Sequence, residues 1–128
     1  MRLKESVEDG FDLFTLEGEI DLHYAPALRS LFQSKIQSRC PALVLDLGRV
    51  TFIDSSGLAA IIEYFRDAAD HAGVLCLVGL NDSLKIIFEI VQLDKVVPIF
   101  PSKDDAATAL HEGQIQPPSS EIFDRSVA

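Results

Sequence analysis

Cysteine is scarce in this chain: Cys40 and Cys76 are the only two among 128 residues. Two thiols do not build a disulfide framework, so the expectation is a reduced, cytoplasmic protein with Cys76 packed as a small hydrophobe. Neither cysteine has a His or Asp companion at ligand spacing, so no metal and no cofactor is expected. Long apolar runs are also missing. None approaches the length needed to cross a bilayer of about 30 Å. The opening Met1-Arg2-Leu3-Lys4-Glu5 lacks the apolar core of a signal peptide. Cations are few: 11 Lys and Arg stand against 20 Asp and Glu, a formal net charge of −9. Such a chain repels phosphate backbones, which makes nucleic acid a poor candidate partner and a basic protein surface a better one.

The sequence also lacks the motifs of common catalytic sites. A nucleophile elbow needs G-x-S-x-G, but Ser55 is preceded by Ile53-Asp54, so the first glycine is absent. There is no G-x-x-x-x-G-K-[ST] phosphate loop. His71 and His111 fall in the last turns of expected helices, a common solvated position. The reading is a protein that is not an enzyme.

What is present is globular. Hydrophobic residues make up 48% of the chain, enough for one cored domain at this length. Phe11 to Leu16 reads as a strand closed by Gly18, and Arg2 to Val7 is a candidate edge strand. Pro26 suits the first turn of a helix whose stripe is Leu28, Leu31, Phe32 and Ile36. Ala42 to Leu47 is a continuous apolar run, as in a strand covered on both faces. Within it, Asp46 reads as a hydrogen-bonded structural carboxylate. Val50-Thr51-Phe52-Ile53 follows, with Phe52 read as core. A second helix carries Leu58, Ile61, Ile62, Phe65 and Ala69 and stops at Gly73. Val74 to Val78 is the next strand. Asn81 or Asp82 caps a third helix with Leu84, Ile87, Phe88 and Val91 as its buried stripe. Val96 to Phe100 is a short strand whose Pro98 argues for an edge. Ser102 caps a last small helix running to about Leu110. Residues 1–112 form one domain, and 113–128, with Gln116-Pro117-Pro118-Ser119-Ser120, read as a flexible tail. Alternating strands and helices predict an α/β domain with helices packed on a sheet.

The informative stretch joins the central apolar strand to the second helix: Phe52-Ile53-Asp54-Ser55-Ser56-Gly57-Leu58. The first N–H groups of a helix lack internal partners, so Asp54 is placed to cap them. Ser55 then sits exposed at the helix mouth, where free N–H groups can also receive a phosphate. Gly57 has no side chain, so another backbone or a nucleotide can approach.

This stretch, together with Leu16-Glu17-Gly18-Glu19-Ile20-Asp21, Val78-Gly79 and Leu93-Asp94, resembles the STAS-domain family, specifically its bacterial anti-sigma factor antagonists. The resemblance covers about residues 8 to 111. It implies a four- to five-stranded mixed sheet with about four helices packed against it. It also implies a partner-switching mechanism. A serine-kinase anti-sigma factor phosphorylates the serine after the turn's aspartate, here Ser55. The unphosphorylated form sequesters that kinase and frees a sigma factor. Asp54 and Asp21 then belong to the surface the kinase recognises, with Ser56 and Gly57, and a serine phosphatase is a second expected partner. Tyr24 departs from the family by replacing a capping Ser or Thr. Other members of the family serve stress-signalling assemblies or lipid-transport complexes, and these stand as alternatives. A receiver-like domain phosphorylated on aspartate is the remote alternative. It would cluster Asp21, Asp46 and Asp54 around Mg²⁺, but no acidic pair follows an early strand and Lys95 precedes the last strand.

Overall fold

The computed structural model describes residues 1–115. Five strands form one sheet in the order β1 (Arg2–Glu8), β2 (Phe11–Ile20), β3 (Ala42–Ile53), β4 (Val74–Val78) and β5 (Ile99–Phe100). β1 is antiparallel to β2, and the remaining neighbours are parallel. Helices α1 (Ala25–Gln37), α2 (Ser55–Ala68) and α3 (Asp82–Ile90) are the three crossovers, and α4 (Lys103–His111) follows β5. The expected mixed α/β sheet with four helices is therefore what forms.

Alternation along β3 separates two cores. Leu43, Leu45 and Leu47 face Leu28 and Phe32 of α1, Ile61 and Phe65 of α2, and Leu84 and Phe88 of α3. Ala42 and Val44 face the opposite way and join Phe11, Leu13, Cys76 and Ala106 of α4. Both cysteines are free and buried; packing was expected of Cys76, and Cys40 is buried as well. Burial pushes Cys76 up to about 12, and burial with the nearby Asp12 carboxylate pushes Cys40 up to about 11.

Several boundaries differ from the sequence reading. Gly18 does not close β2. It takes φ +95 within the strand, which runs on to Ile20 past register shifts at Thr15/Glu17 and Gly18/Glu19. The extra residues are on β3, which advances from Asp46 to Arg49 against Thr15 to Glu17 and from Val50 to Phe52 against Gly18 to Glu19, so β3 is the bulged strand and Gly18 lies opposite it. The second helix ends through a 3-10 turn at Ala72 in the left-handed region, one residue before Gly73. Val91 is 45% exposed and leaves the α3 stripe. It is the C-cap residue, where the helical direction is already lost. β5 has two residues only, although it does lie at the edge. Ile115 packs against the second core, and residues 116–128 of the expected tail lie outside the described residues.

Candidate functional site

β2 and β3 finish at the same edge of the sheet. Ile20 pairs with Ile53, and the Asp54 N–H donates to the Ile20 carbonyl at 3.1 Å. From there β2 turns into α1 through residues 21–24, while β3 passes directly into α2 through Asp54.

Asp54 is the N-cap of α2, with extended backbone. Its Oδ1 accepts from the N–H groups of Ser56 at 2.9 Å and Gly57 at 3.1 Å. Its Oδ2 accepts from the Leu22 N–H at 3.0 Å. One carboxylate thus satisfies two orphan helix donors, lies at the favourable end of the helix dipole, and fastens the neighbouring loop.

Ser55 is the first residue of α2 and is exposed. Its hydroxyl makes no hydrogen bond among the described residues. Ser56 is half-buried and contributes its N–H to the cap. The N–H groups expected to receive a phosphate at this helix start are therefore already taken at Ser56 and Gly57. A phosphate on Ser55 meets a carboxylate in possession of them.

Gly57 is buried against the body of the domain. A Cβ there would lie 2.7 Å from Ile20 Cγ2, 2.8 Å from the Ile20 carbonyl oxygen and 2.8 Å from Ile53 Cγ1. The approaching backbone anticipated from the sequence is β2 of the same chain, and this lets α2 start tight against the sheet.

Asp21 spends its carboxylate on its own loop. Oδ1 accepts from His23 N–H at 3.0 Å and Tyr24 N–H at 3.3 Å, and its carbonyl accepts from Tyr24 and Ala25. Tyr24, the α1 N-cap, makes no side-chain cap bond; the helix start relies on the Asp21 carbonyl, which accepts from Ala25, and on Pro26, which has no N–H to satisfy. The Leu22–Asp54 bond brings this loop beside the start of α2.

Two apolar residues were not legible as surface. Phe52, read as core, is 47% exposed. Val50 and Ile53, three residues apart, both enter the core that holds Leu43, Leu45 and Leu47, because β3 is bulged between Val50 and Phe52, and the bulge leaves Phe52 outside that core near the strand end. Leu22 is 71% exposed, and a single leucine in a polar turn carries no periodicity that would mark it in the sequence.

Among the described residues no group of three His, Cys, Asp or Glu is placed to hold a metal ion. Asp46 accepts the Gly48 N–H at 2.9 Å, the structural role read for it, and Asp54 is committed to backbone donors. The acidic cluster of a receiver-like site does not assemble. Nor is any described helix long and apolar enough to cross a membrane.

The fold and this edge define a class: a small α/β domain presenting an exposed serine on a capped helix start. Comparison with known proteins agrees. The family profile of the STAS domain matches residues 4–106. The anti-sigma-B factor antagonist of Listeria monocytogenes is 31% identical over 99 residues, 77% of this chain and 86% of that protein. An anti-sigma factor antagonist from Mycobacterium paratuberculosis superposes with a TM-score of 0.79 at 30% identity, covering 86% of this chain and 93% of that one. SpoIIAA of Bacillus, solved in its phosphorylated form, shares the fold with a TM-score of 0.69 at 20% identity, covering 85% and 99%. The chain belongs to the STAS-domain family, with the anti-sigma factor antagonists as its relatives. These relatives are described as antagonists of anti-sigma factors, a regulatory and not a catalytic role.

Proposed function

We propose that this protein is an anti-sigma factor antagonist working by partner switching. Unphosphorylated, it binds a serine kinase that is also an anti-sigma factor and thereby frees a sigma factor. Phosphate on Ser55 ends that binding, and a serine phosphatase restores it. Asp54 and Asp21 shape the recognised surface. Ser56 and Gly57 act from beneath it, through the cap and the close packing of α2.

One observation carries the reading. Ser55 is exposed, with its hydroxyl unengaged, at the first position of a helix whose cap is complete without it. Modification there costs the fold no hydrogen bond. It adds about −1.5 to −2 charges beside Asp54 at neutral pH, a change a docked partner must feel.

The test is phosphosite mapping by mass spectrometry after incubation with the cognate kinase and ATP. The expected result is one phosphate, on Ser55, and none in Ser55→Ala. Phosphate on Ser56 alone, or on no residue from Asp54 to Gly57, overturns the assignment.

A further inference from the structure

Leucine is an interior residue in this fold. Leu16, Leu28, Leu43, Leu45, Leu47 and Leu77 are all fully buried. Leu22 is the only leucine among the described residues in the exposed class, at 71%. Exposure of one apolar side chain on a loose turn needs no explanation. This turn is not loose. The Leu22 N–H is held by Asp54 Oδ2 at 3.0 Å. On its C-terminal side, His23 N–H is held by Asp21 Oδ1 at 3.0 Å, and Ala25 N–H by the Asp21 carbonyl at 2.9 Å. The backbone is fixed on both sides while the side chain projects into water. An apolar group presented on a rigid backbone loses little further freedom on docking, which is the property of an interface anchor.

The two segments that meet at this edge are acidic, and the cations that flank them, Arg29 and Arg49, are paired with Glu63 and Glu17. Residues 18–28 and 50–62 contain Glu19, Asp21 and Asp54 and no Lys or Arg. A partner complementary to this edge carries cations around an apolar centre.

We infer that Leu22 is the apolar anchor by which the kinase partner grips the Ser55 edge, received in an apolar pocket rimmed by arginine or lysine. The inference rests on the function proposed above. Leu22 lies one hydrogen bond from the residue that precedes Ser55, so a phosphate and the anchor are read by the same partner surface.

The test measures affinity for the kinase that phosphorylates the wild-type chain, by calorimetry, for Leu22→Ser, Leu22→Met and Ile90→Ser. Ile90 is equally exposed, at 74%, but ends α3 at the opposite end of that helix from its Asn81 cap. Leu22→Ser should weaken binding at least tenfold with an unchanged thermal midpoint. Leu22→Met and Ile90→Ser should stay within about threefold of wild type. Wild-type affinity should fall as salt is raised. Equal affinity of Leu22→Ser and wild type, with Ser55 still phosphorylated, overturns the anchor and leaves the switch standing. Salt-independent affinity overturns the basic rim. A wild-type dimer abolished by Leu22→Ser, with kinase binding intact, makes the patch a self-interface and overturns the proposal. If no kinase binds the wild-type chain, both readings fall together.

Discussion

Asp54 and Leu22 are 32 residues apart in sequence and joined by a 3.0 Å hydrogen bond from the Leu22 N–H to Asp54 Oδ2, while Oδ1 of the same carboxylate caps α2. The two roles separate by substitution. Asp54→Ala loses both and should cost about 1 kcal/mol as a lost N-cap, lowering the melting temperature by a few degrees. Asp54→Asn keeps one oxygen for the cap and has no second acceptor for Leu22. It should retain most of the stability while amide hydrogen exchange at Leu22 accelerates. Unchanged exchange at Leu22 in Asp54→Asn would show that the bond does not hold the loop.

Gly57→Ala should be far more costly than an ordinary helix Gly→Ala, which normally stabilises. The new methyl would lie 2.8 Å from the Ile20 carbonyl oxygen, a backbone atom that cannot rotate away. Overpacking of this type costs about 1–3 kcal/mol. Urea denaturation measures it. A midpoint at or above wild type would mean the helix start has room that the structure denies.

Legibility followed physical cause. The α2 cap could be read because Asp before two serines and a glycine, ahead of an apolar 3.6-residue stripe, has one stable local solution. The α4 cap at Ser102 was readable for the same reason; its Oγ accepts the Asp105 N–H at 3.3 Å. Gly18 does not end its strand because a glycine can also sit inside a strand at positive φ, and only the pairing of β2 with the bulged β3 shows that the strand continues. Phe52 misled because its side chain is apolar, whereas its exposure depends on where helix cover ends. Leu22 gave no signal, since what makes it notable is a bond to a carboxylate distant in sequence.

The thiols provide a pH prediction. An unfolded thiol titrates near 9.0, whereas burial raises Cys40 to about 11 and Cys76 to about 12 in the fold. Below pH 9 both states hold the protons and the contribution to stability is complete. Above it the unfolded chain releases protons that the folded chain keeps, so stability falls, by at most about 1.4 kcal/mol per pH unit for each thiol. The loss runs up to about pH 11 for Cys40 and about pH 12 for Cys76. Denaturation between pH 8 and 10.5 should show this decline, with a shallower slope in Cys76→Ala. In the folded state at pH 8 neither thiol should react readily with a disulfide reagent, and both should react in denaturant. An unaltered slope in Cys76→Ala would contradict the burial argument.

The central claim is that charge at Ser55 controls binding. The kinase that modifies Ser55 must bring its nucleotide phosphates to that hydroxyl, so a phosphate or carboxylate at Ser55 meets like charge at that point, although the partner surface around Leu22 is basic. Two like charges about 6 Å apart at an effective dielectric near 20 repel by roughly 3 kcal/mol before salt screening, which corresponds to an affinity loss on the order of a hundredfold. The deciding measurement is the calorimetric affinity of the cognate serine kinase for wild type, Ser55→Ala and Ser55→Asp at one salt concentration. The account predicts that Ser55→Ala binds like unphosphorylated wild type, and that Ser55→Asp remains folded but binds on the order of a hundredfold more weakly. Equal affinity of all three folded proteins would contradict it.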